Sequence, residues 1–213
     1  MKSEAIVELG KPLQTIETET PEPKGNEVLL KITHSGVCHS DVHIHDGYFD
    51  LGGGNKLPVG AMLNLPHTMG HEIEGEVVSI GPEVTEVEIG SHVVAYPWIG
   101  CGECATCKAG DEHYCNAPRQ LGIQLPGGFA DYCIVPDSKY VLDYEGIRPG
   151  LAATYMCSGL TAFGALKKFV NISDDDHILI MGLGGVGMMG LQFARALFNC
   201  KILAADIDPN KLQ

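Results

Sequence analysis

The residues best equipped for chemistry in this chain are its cysteines. Cys101, Cys104, Cys107 and Cys115 follow the spacing C-x2-C-x2-C-x7-C inside the run G-C-G-E-C-A-T-C-K-A-G-D-E-H-Y-C. Four thiolates folded around one point suit a tetrahedral zinc ion, and with every position filled the ion would be structural. An iron–sulfur cluster of the bacterial ferredoxin type asks for a shorter last interval and a following proline, and neither occurs here. A second set is dispersed: Cys38 in G-V-C-H-S-D-V-H, His71 and Glu72 in G-H-E, and Cys157 in C-S-G-L-T. No member is specific alone, because a lone Cys or His is more often a core or surface residue. Together, two thiolates and one imidazole make three protein ligands for zinc and leave a fourth position for water or substrate. An open zinc site of this kind would be catalytic.

Glycine supplies a third signature. Gly182, Gly184 and Gly187 spell G-x-G-x-x-G within G-L-G-G-V-G, directly after the apolar run H-I-L-I-M. The first glycine would make a tight turn, the second would admit a pyrophosphate to the backbone, and the third would pack helix on strand. The helix N-terminus would attract the anion. Asp206 then ends the next predicted strand, where its carboxylate would accept adenosine-ribose hydroxyls and repel a ribose phosphate, favouring NAD over NADP. Turn glycines with no ligand are the competing reading.

The elements that must hold these groups come in two grammars. Over residues 27–144, short β-type runs (V-L-L-K-I-T, E-I-E-G-E-V-V-S-I, H-V-V-A-Y, A-D-Y-C-I-V) alternate with Gly and Pro punctuation, which predicts an all-β domain. From residue 151 the pattern predicts helices over 151–156 and 159–170, a strand over 177–182, a helix reaching residue 198, a strand over 201–206 and a helix start at Asp208-Pro209. A boundary near residues 150–158 follows. Residues 46–66 are Gly-rich and aperiodic, and read either as a functional surface loop or as a tolerated insertion.

Composition limits the partners. The 213 residues carry 14 Lys and Arg against 27 Asp and Glu, a formal net charge of -13, which repels nucleic acid and anionic membrane surfaces. With 45% hydrophobic and 19% charged residues the chain can bury an ordinary core. Its longest uncharged apolar stretch, residues 178–191, falls short of the roughly 20 residues of a membrane span and is interrupted by glycines. The opening M-K-S-E-A-I-V-E lacks the apolar core of a secretory signal, so a cytoplasmic location is expected and the eight cysteines call for metal before disulfides.

Taken in this order and at these separations, G-V-C-H-S-D, G-H-E, the four-cysteine lobe, C-S-G-L-T and G-L-G-G-V-G resemble the zinc-dependent medium-chain alcohol dehydrogenases over the whole chain. The resemblance implies an all-β GroES-like catalytic domain over residues 1–155, bearing the structural zinc lobe. It further implies an α/β Rossmann cofactor domain, begun over residues 156–213 and incomplete in this chain. Two zinc ions per chain are implied, a catalytic one on Cys38, His71 and Cys157 and a structural one on Cys101, Cys104, Cys107 and Cys115, with NAD as the cofactor. Glu72 would stand close to the catalytic metal, and Asp41 would take the free ring N–H of His71, as carboxylates beside metal-bound histidines do. A helix N-cap or a solvated acid is the alternative for Asp41. Ser40 and His43 match the two ends of the family's proton relay. His39 matches a residue facing the pyrophosphate, Thr161 a nicotinamide contact, and Lys211 a cation near the ribose. Trp98 would line the substrate cleft or pack in the core.

The implied reaction is reversible oxidation of a primary or secondary alcohol to an aldehyde or ketone, with hydride passing to NAD. The implied partners are a small alcohol or aldehyde, with no nucleic acid and no membrane, and a homodimer or homotetramer in a full-length form. A zinc polyol dehydrogenase is a second reading, although relatives of that type commonly lack the thiolate matching Cys157. A third is a zinc-binding fragment without catalysis, because the elements that complete the cofactor domain are absent. His34, His45, His67, His92, His113 and His177 match no ligand position, and Cys133 and Cys200 read as small core residues.

Overall fold

Alternation of buried and exposed side chains builds the first part of the chain into sheet. Strand β1 (Lys2–Ile6) turns Ser3 and Ala5 inward and is paired antiparallel with β2 (Gln14–Glu17). Both precede residue 27, where the sequence reading starts its strands; Q-T-I-E holds a single apolar residue and gives periodicity nothing to register. There follow β3 (Val28–Gly36), helix α1 (His39–Asp46), β4 (Tyr48–Asp50), β5 (Lys56–Pro58), β6 (His67–Thr68), β7 (Glu72–Ile80) and β8 (His92–Ala95). Beyond the one-turn helix α2 (Ala105–Lys108) of the cysteine lobe lie β9 (Tyr132–Val135), β10 (Val141–Asp143) and the short helix α3 (Ala152–Thr154). The computed structural model describes residues 1–212.

An antiparallel five-stranded sheet, β10-β8-β7-β3-β9, is the backbone of this unit, beside a three-stranded sheet β2-β1-β6. Val28, Leu30, Ile73, Val77, Ala95 and Val135 bury completely in this sheet, with Leu121 from a loop in the same core cluster. Each fully buried aliphatic side chain of this size contributes about 1.5–3 kcal/mol of transfer free energy. A smaller cluster of Ile6, Ile44 and Met69 fastens α1 to the sheets. Residues 46–66 are not the structureless loop the sequence suggests: β4 and β5 form an antiparallel hairpin, followed by a 3-10 turn at Gly60–Met62. Gly52, Gly53 and Gly54 all adopt left-handed backbone at the hairpin tip, so the glycine run that erases periodicity is what turns the chain.

The second unit begins at Cys157, the division falling after Met156, against the predicted change at residues 155 and 156. A π turn (Tyr155–Gly159) leads into α4 (Leu160–Leu166), β11 (His177–Met181), α5 (Gly185–Leu197), β12 (Lys201–Ala205) and a 3-10 turn (Pro209–Leu212). Helix α4 stops short of residue 170, and the chain turns at Asn171, whose φ is 62°. Strands β11 and β12 pair in parallel, Ile178 opposite Ile202 and Ile180 opposite Ala204, as a strand–helix–strand crossover requires. Asp208 accepts the Asn210 N–H at 3.0 Å and opens the last turn, which is 3-10 within the described residues. Gln213, the final residue of the predicted cofactor segment, lies outside them.

Candidate active site

The four cysteine sulfurs of the lobe all lie within 4.8 Å of one another. Cys104 and Cys107 stand 3.4 Å apart, Cys104 and Cys115 3.8 Å, and Cys101 and Cys107 3.9 Å. Zinc–sulfur bonds of about 2.3 Å in a tetrahedron give sulfur–sulfur edges of about 3.8 Å, so the donor set fits that ion. Backbone amides support the thiolate form: Cys104 N–H reaches Cys101 Sγ and Cys107 N–H reaches Cys104 Sγ, each at 3.4 Å. The amides of Glu103 and Cys104 hold Cys101 down at about 6, whereas burial pushes Cys107 up to about 12. Gly100 is obligatory beside them, because a Cβ there would fall 2.5 Å from Cys107 Sγ.

The second cluster is organised by α1 and β7. Cys38 is the N-cap of α1, and its amide donates to Asp41 Oδ2 at 2.8 Å. The other oxygen of Asp41, Oδ1, faces Nδ1 of His71 at 3.3 Å, close enough for an ion pair but without the alignment of a hydrogen bond. Asp41 is thus the third residue of α1 and not its N-cap, and its carboxylate lies beside the His71 ring without the hydrogen bond that the resemblance implies. His71 is completely buried, and its Nε2 has no hydrogen-bond partner. A ring nitrogen of His71 and Sγ of Cys38 come within 4.8 Å. Burial lowers the imidazole's basicity, but Asp41 and Cys38 outweigh it and raise His71 to about 9. A buried imidazole with an orphaned nitrogen, a thiol within reach and a carboxylate behind it fits a metal ion. Glu72 is buried next to His71 and folds over Gly36, where a Cβ would lie 1.9 Å from Glu72 Oε2.

Ser40 is half-buried in the first turn of α1, and His43 lies one turn further on. The His43 ring packs between His39 and Phe49, at centroid distances of 4.8 and 4.9 Å. Trp98 donates its indole N–H to the Met156 carbonyl at 2.8 Å, and its ring centre is 5.9 Å from that of His71. Cys157, the next residue in the chain, is buried in the π turn that opens the second unit.

In the second unit the three glycines of the loop meet three different constraints. Gly182 has φ 85°, in the left-handed region that favours glycine. A Cβ on Gly187 would fall 1.7 Å from the Gly182 carbonyl oxygen, so helix and turn touch there. Gly184, the N-cap of α5, has open space where its Cβ would be and no side chain capping the helix. That opening beside uncapped helix amides fits a phosphate group. Asp206 follows β12 rather than ending it. Its Oδ2 accepts the Leu183 amide at 2.6 Å and stands 3.6 Å from Lys211 Nζ, and its Oδ1 accepts the Asp208 amide at 2.9 Å. The Asp208 and Leu183 amides, aided by Lys211, hold the carboxyl below its usual range. Thr161 is exposed in the first turn of α4.

Three residues escape the motif reading. Gly36 makes room for Glu72 and sits opposite it in the β3–β7 register. Glu112, inside the last cysteine interval, accepts hydrogen bonds from Lys139 Nζ at 2.8 Å, the Tyr140 hydroxyl and the Gly100 amide, and so ties the lobe to the 3-10 turn Ser138–Tyr140 before β10. Glu74 is a buried carboxylate on β7. Its only sequence signal is the acid at every second position in E-I-E-G-E, on a strand whose other face is apolar.

Residues 24–145 match the family described as the alcohol dehydrogenase GroES-like domain. An NAD-dependent alcohol dehydrogenase of Saccharolobus solfataricus is 39% identical over 97% of this chain and 59% of its own length. Another, of Sulfurisphaera tokodaii, is 37% identical over 100% of this chain and 60% of its own length. Among solved structures, the alcohol dehydrogenase from Aeropyrum pernix aligns with a TM-score of 0.85 at 26% identity, covering 100% of this chain and 61% of that one. The D-arabinose dehydrogenase from Sulfolobus solfataricus gives 0.83 at 27%, covering 99% and 62%. The chain spans about three fifths of the length of these relatives. Among the described residues no helix is long and apolar enough to cross a membrane.

Proposed function

Because the chain belongs to the alcohol dehydrogenase GroES-like domain family, we propose that it is the metal-bearing part of a zinc-dependent oxidoreductase that reversibly oxidises primary or secondary alcohols with NAD. The observation that carries this reading is His71, buried, with Nε2 lacking a partner, Asp41 at 3.3 Å behind the ring and the Cys38 thiol in reach. Cys38, His71 and Cys157 would hold the catalytic zinc, and Cys101, Cys104, Cys107 and Cys115 the structural one. When bound, zinc supplies a Lewis acid that makes an alcohol hydroxyl acidic near neutral pH. Asp41 orients His71. Ser40 would receive the substrate proton and His43 pass it toward solvent, their spacing of one helical turn suiting a short relay. Glu72 stands ready beside the ligands.

Gly182, Gly184 and Gly187 would cradle the NAD pyrophosphate, with His39 near it and Thr161 against the nicotinamide. Asp206 keeps lone pairs for ribose hydroxyls even while both its oxygens hold backbone amides, and Lys211 would sit beside that ribose. Six of the eight cysteines would serve as zinc thiolates, a use that suits a reducing compartment such as the cytoplasm. The full-length form would be a homodimer or homotetramer.

The test is zinc analysis joined to a substrate panel of ethanol, benzyl alcohol and an ω-hydroxy acid, following NAD reduction in this chain and in a longer form. Cys38→Ser and His71→Ala should each lose one zinc and abolish turnover while the fold persists. Turnover at the parent rate in either variant would overturn the reading. Two zinc ions with no turnover in any form would favour the zinc-binding fragment instead.

A further inference from the structure

Strand β7 carries a carboxylate that the proposed reaction does not use. Glu74 is 1% exposed, on the strand face opposite Ile73 and Val77. An ionised group so deeply buried is costly unless its lone pairs are filled. They are filled, and by one stretch of chain in particular. The Gly150 amide donates to Oε2 at 2.9 Å and to Oε1 at 3.1 Å, and the Tyr144 hydroxyl donates to Oε1 at 3.1 Å. His34, opposite Glu74 in the β3–β7 register, brings Nδ1 to 3.2 Å of Oε1.

Residues 144–150 are the turn that leads from β10 into α3. Gly150 has φ 80°, and a Cβ on it would meet the His34 ring at 3.2 Å, so this backbone is drawn hard against the strands. Helix α3 follows at once with Ala152 and Ala153 buried, and the segment closes at Met156, whose carbonyl receives the Trp98 indole N–H. Residues 150–156 are thus pinned at one end by Glu74 and at the other by Trp98. The next residue is Cys157.

We infer that Glu74 is a positioning residue: through the Gly150 amide and the Tyr144 hydroxyl it fixes the path of α3 and thereby the delivery of the Cys157 thiolate to the catalytic metal. An apolar residue at position 74 would fill the space but could not set the direction of an amide. This inference rests on the three-ligand zinc reading above.

The experiment is zinc release from the zinc-loaded chain into excess chromophoric chelator, with Cys157→Ser and Cys104→Ser identifying the phases of the two sites. Glu74→Gln keeps the size of the side chain but sets an amide group against the Gly150 and Tyr144 donors. It should speed the Cys157-dependent phase by about tenfold, the scale on which groups supporting metal ligands act, and leave the Cys104-dependent phase unchanged. Trp98→Phe, which removes only the N–H at the other pin, should act in the same direction. Tyr144→Phe, which deletes a single donor, gives a milder version if Glu74→Gln fails to fold. Equal acceleration of both phases, or no change in either, would overturn the positioning role and leave the zinc reading intact. Absence of any Cys157-dependent phase in the parent would overturn both.

Discussion

Two glycines in the second unit separate packing from ligand approach. At Gly187 an added Cβ meets backbone, 1.7 Å from the Gly182 carbonyl oxygen and 2.8 Å from its carbon, so no side-chain rotation relieves the clash. Gly187→Val must therefore push α5 away from the turn, an overpacking that costs about 1–3 kcal/mol. Gly184 has nothing within 4 Å of the same test position. Serine is a preferred N-cap, so Gly184→Ser should change stability by no more than about 0.5 kcal/mol. Its side chain would nevertheless occupy the opening where a pyrophosphate meets the helix amides. Losing one amide hydrogen bond to a charged group, about 1.5–3 kcal/mol, weakens binding by about tenfold to a hundredfold. Thermal unfolding followed by circular dichroism and NAD titration by calorimetry should show the two variants failing differently. Gly187→Val lowers the melting temperature, and Gly184→Ser keeps it but binds NAD about tenfold to a hundredfold more weakly. If Gly184→Ser bound NAD as tightly as the parent, or melted alongside Gly187→Val, the division of roles in the loop would be refuted.

Three further outcomes are expected. Cys104→Ser should release one zinc per chain and open residues 101–115 to protease, read by metal analysis and limited digestion; parental zinc content and resistance would contradict the tetrathiolate site. Gly36→Ala should dislodge the Glu72 carboxylate, because its Cβ would lie 1.9 Å from Oε2 and 2.9 Å from the Glu72 Cβ, at a cost of about 1–3 kcal/mol measurable as a shift in urea midpoint. Burial lowers the pKa of His67, opposed only by its bond to the Gly122 carbonyl at 3.1 Å. A base whose folded pKa lies below its unfolded value takes up protons on unfolding, so its contribution is intact above about pH 6.5 and is lost as pH falls from there through the lower folded pKa. His67→Gln should flatten this acid-side loss, and identical urea midpoints against pH in variant and parent would exclude His67 as its source.

The long strands were legible because each has one apolar face: V-L-L-K-I-T and E-I-E-G-E-V-V-S-I coincide with β3 and β7. The glycine loop was legible because turn, approach and packing each demand glycine at a fixed interval, and the cysteine lobe because four thiols at short spacing have few other uses. What escaped was set by distant neighbours. Helix α1 has two buried residues, Asp41 and Ile44, too few for a helical period to stand out. The hairpin of β4 and β5 is three residues a side with a glycine tip, and β2 pairs through its backbone with little apolar content. Glu74 and Glu112 resemble surface acids in the sequence; only the placement of Gly150 and Tyr144 around the buried Glu74, and of Lys139 and Tyr140 around the half-buried Glu112, shows what each carboxylate holds.

One side chain in this molecule does two jobs at once. Asp41 spends one oxygen closing the first turn of α1 and the other facing His71. Local folding and the aim of the imidazole therefore stand or fall together: a change that releases either oxygen loosens an architectural joint and a chemical one in the same step. Adaptation toward a new substrate has to come from positions that leave this shared carboxylate alone.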